Sequence, residues 1–180
     1  MINPALEKSP KHARLIGLMV VGYGELELTF AHCAGLALGQ TYEVLNAIQS
    51  VRSESARIKI ADALSSGAYK KLALEPQYAD ALGGLRHCLN IRNQYAHSQY
   101  SRVGRRLKFF NPNNTFTSPT KPLPYRWISI PMLKEQAAFF GWTRDMLIYL
   151  QLSIPHHLKG KLSPYPLPKR TKAQLPPLHK

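Results

Sequence analysis

LRHCLNIRNQYAHSQY, residues 85–100, is the stretch on which the reading of this chain turns. With the residues before it, it predicts a helix from Pro76 to about Ser98, striped by Tyr78, Leu82, Leu85, Leu89, Arg92 and Ala96. At helical pitch these six fall within about 60° of their mean direction, and Arg92 lies about 20° from Leu85. An arginine inside an apolar stripe is unusual for a helix that only packs. It needs either an internal carboxylate or an anionic ligand. Asn93 and His97 stand further round one flank, four residues apart and so on neighbouring turns. Gly83 and Gly84 thin the helix midway and allow a close crossing.

Upstream, Met1 to Lys8 reads as a leader, and Ser9-Pro10 as a helix start: a capping side chain, then proline at the first helical position. A long helix is expected from there to about Leu38, with Gly39 as its stop. Its stripe is Ile16, Met19, Tyr23, Leu26, Phe30, Cys33 and Ala37, alternating three and four residues. Glu25 points away from that stripe, but Glu27 falls within about 40° of Tyr23. A carboxylate so placed needs a partner, and Glu27 is the best internal candidate for Arg92. Thr41 can cap a second helix, about Tyr42 to Val51. Ser53 or Ser55 can open a third, to about Ser65, with Ile58, Ile60, Ala61 and Leu64 as core and Gly67 as its end. Ala68 to Glu75 reads equally as a helical turn or a loop.

Downstream the pattern changes. Arg105–Phe110 and Tyr125–Ile130 are rich in aromatic and β-branched residues and can pair as a hairpin across a loop of Asn, Thr, Pro and Ser. Ser129 and Pro131 mark a last helix, to about Leu152, with Leu133, Ala137, Phe140, Met146, Leu147 and Leu150 on its apolar side. From Ile154 onward, prolines alternate with lysines and predict an extended or disordered tail. The expected architecture is all-α: an up-and-down bundle of four to five helices over residues 1–154, a small β-hairpin over 104–130 inserted before the last helix, and a disordered, Pro-rich basic tail over 155–180. There is no repeat at a solenoid period.

The chain of 180 residues carries a net charge of +14, unevenly spread. Residues 1–100 hold 10 Lys/Arg against 8 Asp/Glu, and residues 101–180 hold 14 against 2. A field concentrated in this way favours nucleic acid, an acidic protein or an anionic membrane surface. The two cysteines, Cys33 and Cys88, sit inside helical patterns. That usage fits reduced thiols and a cytoplasmic protein rather than a disulfide scaffold. The apolar run from Leu15 to Leu38 is broken by Glu25, Glu27 and His32 and makes a poor membrane span.

A phosphate-binding P-loop, a dinucleotide glycine fingerprint and an HExxH zinc helix are all missing from the sequence. His32-Cys33 and His87-Cys88 invite a zinc reading, but adjacent helical residues diverge by about 100° and cannot readily share a metal; no metal or other cofactor is expected. RNQYAH, residues 92–97, carries more. Arginine offers a planar, permanently charged fork suited to phosphate. Histidine exchanges a proton near neutral pH. Together they supply charge stabilisation and acid–base chemistry without a metal. The plainer alternative is a structural Arg92–Glu27 pair with a surface histidine at a helix end.

RNQYAH has the R-x4-H form, with a polar residue after Arg, and in this respect resembles the HEPN superfamily of small helical bundles. The surroundings agree over about Leu15 to Ser101: a first helix with GELEL, shorter helices with VRSESARIKIADAL, then the motif late in the next long helix. The resemblance implies a metal-independent endoribonuclease of the toxin or defence kind, working as a homodimer with one shared cleft and sometimes held by an antitoxin protein. Arg92 would bind the scissile phosphate. His97 would act as base or acid while the 2′-hydroxyl attacks, leaving a 2′,3′-cyclic phosphate. Asn93 would orient the phosphate or His97, and Tyr95 is a weaker candidate that could equally pack. Arg102, Arg105, Arg106 and Lys108 could hold the RNA backbone or serve only as a solubilising run. A catalytically silent RNA-binding module and a protein-interaction bundle are the competing expectations.

Overall fold

The structure is a computed structural model that describes residues 3–112 and 125–173. In chain order these form α1 (Pro4–Glu7), α2 (Pro10–Leu38), α3 (Thr41–Gln49), α4 (Glu54–Lys71), α5 (Glu75–Ala96), β1 (Gln99–Val103), β2 (Arg106–Phe110), β3 (Arg126–Ile128) and α6 (Ile130–His157). The protein is thus mainly helical with one small antiparallel sheet, ordered β1-β2-β3. Among the described residues no helix is long and apolar enough to cross a membrane. The described residues divide into two compact units. One comprises the chain up to Tyr23, residues 87–140 and the chain from Thr171. The other comprises Gly24–Arg86 and Gly141–Arg170.

All seven residues of the stripe expected on the first long helix are buried. An unbroken alternation of three and four residues leaves a long helix little choice of face. Glu25 is exposed and Glu27 buried, as their helical angles require.

The unit around Gly24–Arg86 is built on aromatic stacking. Tyr69 of α4 and Tyr78 of α5 stack with ring centroids 4.1 Å apart, and Phe30 of α2 lies 6.0 Å from Tyr78. Such pairs add about 0.5–1.5 kcal/mol each beyond burial. They also explain a correction in α4. The helix runs through Gly67 to Lys71 and buries Ile58, Ala61, Ser65 and Tyr69, while Ile60 and Leu64 are exposed. Bringing Tyr69 onto Tyr78 fixes the face, and Ser65 enters the core because its Oγ donates to Ala61 O at 2.7 Å. The chain then turns at Ala73 (φ +54°) into α5. The second helix begins at Thr41, with Gln40 in the N-cap position expected of Thr41. Gly84 does permit a close crossing. A Cβ there would meet Thr143 Oγ1 of α6 at 2.8 Å.

Ser129 Oγ accepts from Met132 N and opens α6, which continues beyond the expected Leu152 to His157, with Pro155 in its last turn. Residues 158–170 contain no helix or strand, yet they are anchored within their own unit. Ser153 Oγ donates to Ser163 Oγ at 2.7 Å, the Arg170 guanidinium meets Asp80 at 3.3 Å, and its Cζ lies 5.5 Å from the Trp142 ring. This part of the expected disordered tail is extended but tied down; residues 174–180 lie outside the described region.

The other unit contains the sheet, the last turns of α5 and the start of α6. β2 pairs with β3 as expected of residues 105–110 and 125–130, although β3 stops at Ile128 because α6 begins at Ile130. The expected Asn/Thr/Pro/Ser loop between them falls mostly on residues 113–124, outside the described region. β1 is an addition to the expected hairpin. Its pairing with β2 closes at Val103↔Arg106 through Gly104 and Arg105, and Gly104 has φ +59°. A positive φ at the first central residue alone is the mark of a II′ turn, whose twist suits a hairpin. Leu107, Phe109 and Ile128 point inward and are buried; Phe109 packs on Tyr95 of α5, centroids 5.6 Å apart.

Candidate functional site

The last turns of α5 do not bury the face that the stripe implied. Tyr78, Leu82, Leu85 and Leu89 are buried as expected, but Ala96 is exposed and Arg92 only half-buried. From residue 88 onward the buried positions are Cys88, Leu89, Ile91, Gln94 and Tyr95. Their mean direction is rotated by roughly 100° from that of the earlier stripe. The cause is the sheet and the start of α6. Phe109 and Gln136 lie against Tyr95, and its hydroxyl donates to Gln136 Oε1 at 2.7 Å. Arg92 is therefore not a charge at the centre of a buried face. Arg92, Asn93, Ala96 and His97 form the accessible arc of the helix end, about 140° wide.

Within that arc Arg92 Nη1 donates to Asn93 Oδ1 at 2.8 Å. Asn93 thus grips the guanidinium, a contact that neither of its expected roles included. His97 is exposed, and its ring forms no hydrogen bond with any described residue. Its backbone N–H still bonds Asn93 O at 3.3 Å, which holds the residue in register with the helix.

Three carbonyls of this last turn, which a helix end leaves short of intrahelical donors, take side-chain donors. Asn93 O also accepts from Asn111 Nδ2 at 3.5 Å, Gln94 O from Ser98 Oγ, and Tyr95 O from Tyr100 Oη at 2.7 Å. Asn111 follows β2 directly and Tyr100 lies in β1, so the sheet itself caps the turn bearing the motif. Asn111, Tyr100 and Gln136 are the participants that the sequence reading missed. Gln136 was legible in part, since it stands three residues after Leu133 on the side of α6 assigned to the core.

Tyr95 belongs to the packing. Burial drives its phenol well above the ordinary tyrosine range, so it stays protonated as a donor to Gln136. Glu27 lies in the other unit, where its Oε2 accepts from Arg57 Nη1 at 2.7 Å. Arg57 also donates from Nε to Val51 O at 2.6 Å. A buried carboxylate held by a charged, well-fixed donor meets the demand that the sequence placed on Glu27.

The four basic residues after the motif do not share one surface. Strand alternation sends successive side chains to opposite faces. Arg106 and Lys108 point outward, Arg105 stands at the turn tip, and Arg102, opposite Leu107, lies on the inner side. Arg102 Nε is buried with no hydrogen-bond partner among the described residues.

Cys33 and Cys88 are buried thiols outside any disulfide. Cys33 Sγ donates to Leu147 O at 3.4 Å, and burial pushes its thiol up to about 12. His87 packs edge-on against Phe139 at 4.9 Å. Among the described residues no group of three or more His, Cys, Asp and Glu side chains could hold a metal ion. The chain matches no family model, no curated protein and no solved structure.

Proposed function

We propose that this protein is a metal-independent endoribonuclease of the HEPN kind, cleaving RNA by attack of the 2′-hydroxyl. The observation that carries the reading is the split of RNQYAH between two faces. Gln94 and Tyr95 turn inward, while Arg92, Asn93 and His97 remain accessible on a turn capped by the sheet. Charged and titratable side chains stay accessible on any helix; what supports the reading is that a guanidinium, an amide and an imidazole, the groups this chemistry uses, share one accessible arc.

In this reading Arg92 binds the scissile phosphate and offsets the charge that grows on its oxygens. Asn93 holds the guanidinium in position through its Oδ1. The 2′-oxygen bonds to phosphorus as the P–O5′ bond breaks, giving a 2′,3′-cyclic phosphate and a 5′-hydroxyl. One imidazole takes the 2′-hydroxyl proton and another delivers a proton to the departing 5′-oxygen. A homodimer with a shared cleft supplies both from two copies of His97. A monomer in light scattering at micromolar concentration would remove that arrangement. An antitoxin would be a protein that covers the arc, and co-purification would reveal it.

The decisive experiment is RNA cleavage by purified protein in EDTA, with Arg92→Ala and His97→Ala as controls. Activity that survives EDTA and disappears in both variants supports the proposal. A second reading, a catalytically silent RNA-binding module, is favoured by the basic outer side of the sheet. It expects salt-sensitive binding without products.

A further inference from the structure

The outer face of the sheet has a chemistry that the cleavage reading leaves unused. Arg106 and Lys108 of β2 project from it, opposite Val103 and Ser101 of β1, and Trp127 of β3 lies opposite Lys108. Trp127 is 44 % exposed and Val103 54 %, so large apolar groups meet solvent here. Each cation stands over a ring. Arg106 Cζ is 4.2 Å from the Trp127 ring centroid, and Lys108 Nζ is 4.3 Å from that of Tyr125. A guanidinium covers one face of an indole and leaves the remainder of the ring to another flat partner. Between Gln99 and Ile130 the sequence has six Lys/Arg and no Asp or Glu. No carboxylate from this segment neutralises the field.

We propose that this outer face is a stacking platform for single-stranded nucleic acid. Trp127 takes a base, with Tyr125 as a second ring, while Arg106 and Lys108 meet the flanking phosphates. Charge complementarity identifies a polyanion, and the interleaved rings narrow it to one with unpaired bases, because a duplex presents phosphates and hides its base faces. The platform is distinct from the arc of Arg92, Asn93 and His97 and does not depend on cleavage there. Asn111, which follows β2, bonds Asn93 and ties the sheet to that arc.

The test uses the full chain carrying His97→Ala, so that cleavage cannot consume the probe. Fluorescence anisotropy follows binding of labelled RNA and DNA single strands of about 12 nucleotides, within the usual site size for such surfaces, and of the matching duplex, over a range of salt. Trp127→Ala should weaken single-strand binding about 5- to 150-fold, the equivalent of one lost stack, and affect the duplex far less. Trp127→Phe, which keeps a π-face, should retain most of the affinity and guards against a folding artefact. Removing Arg106 and Lys108 together should reduce the salt slope by about 1.4. Lys59→Ala, an exposed cation in the other unit, should bind as the parent does. RNA and DNA arms that agree assign the site to base and phosphate; preference for RNA adds the 2′-hydroxyl to its contacts. Unchanged binding by Trp127→Ala, equal affinity for the duplex, or full competition by anionic vesicles would overturn the proposal. Intact RNA with the parent protein, despite tight binding here, would overturn only the cleavage reading.

Discussion

The two faces of the last turns of α5 are a residue apart and obey different rules. On one, Ile91, Gln94 and Tyr95 are buried; even the polar Gln94 is drawn inside, and the Tyr95 hydroxyl meets Gln136 there. On the other, Arg92, Asn93 and His97 remain accessible, with Arg92 held to Asn93 and His97 left to solvent. The contrast teaches that one short motif can hold a packing face and an accessible polar face at once, provided the helix end turns its buried side toward the sheet. It also separates residues whose loss should affect stability from those whose loss should affect reaction.

The largest expected effect falls on the accessible face. Arg92→Ala should lower RNA cleavage by about 10²–10³-fold, as loss of a charge-stabilising donor does. His97→Ala should lower it by about 10²–10⁴-fold, the usual worth of a general acid or base. The His97 variant should unfold within about 0.5 kcal/mol of wild type by urea titration, since the side chain is exposed. A large loss of stability there would break the division between faces.

Arg57→Ala should destabilise the protein by about 1.5–3 kcal/mol, because it removes a charged hydrogen bond of 2.7 Å to the buried Glu27. Chemical denaturation measures it, and a change near zero would show that the pair is dispensable. Tyr95→Phe tests the buried face directly. Losing the hydroxyl removes one hydrogen bond to Gln136 and should cost about 0.5–1.5 kcal/mol with cleavage unchanged. Activity loss without destabilisation would move Tyr95 to the chemical side. The smallest effect concerns Cys33. With its thiol pushed up to about 12, about one in 10⁴ would be ionised at pH 8, so a thiol reagent should react only when the protein unfolds.

The sequence made α2 legible because seven apolar positions at strict helical spacing admit one face only. It placed the end of α5 on the wrong bearing for a physical reason. Helical angle reports which residues align, not which neighbour arrives, and here the sheet and Gln136 arrive from the side of Tyr95. β1 was hidden because QYSRV has little hydrophobic alternation; its strand forms by pairing with β2 across the Gly104 turn and by capping α5 through Tyr100. Ile60 and Leu64 misled in the same manner as Ala96, since apolar character alone does not say which side of a helix an aromatic stack will claim. Of the candidate site, Arg92, Asn93 and His97 were identifiable from type and spacing. The bond between Arg92 and Asn93, the support of Asn111 for the Asn93 carbonyl and the partnership of Glu27 with Arg57 needed coordinates, because no spacing rule dictates any of these meetings.

The central claim is best tested by the ends of the RNA fragments. Purified wild-type protein in excess EDTA should yield products ending in 2′,3′-cyclic phosphate and beginning with 5′-hydroxyl, and His97→Ala should yield none. Intact RNA, products with 5′-phosphate, or equal cleavage by the His97 variant would contradict the account.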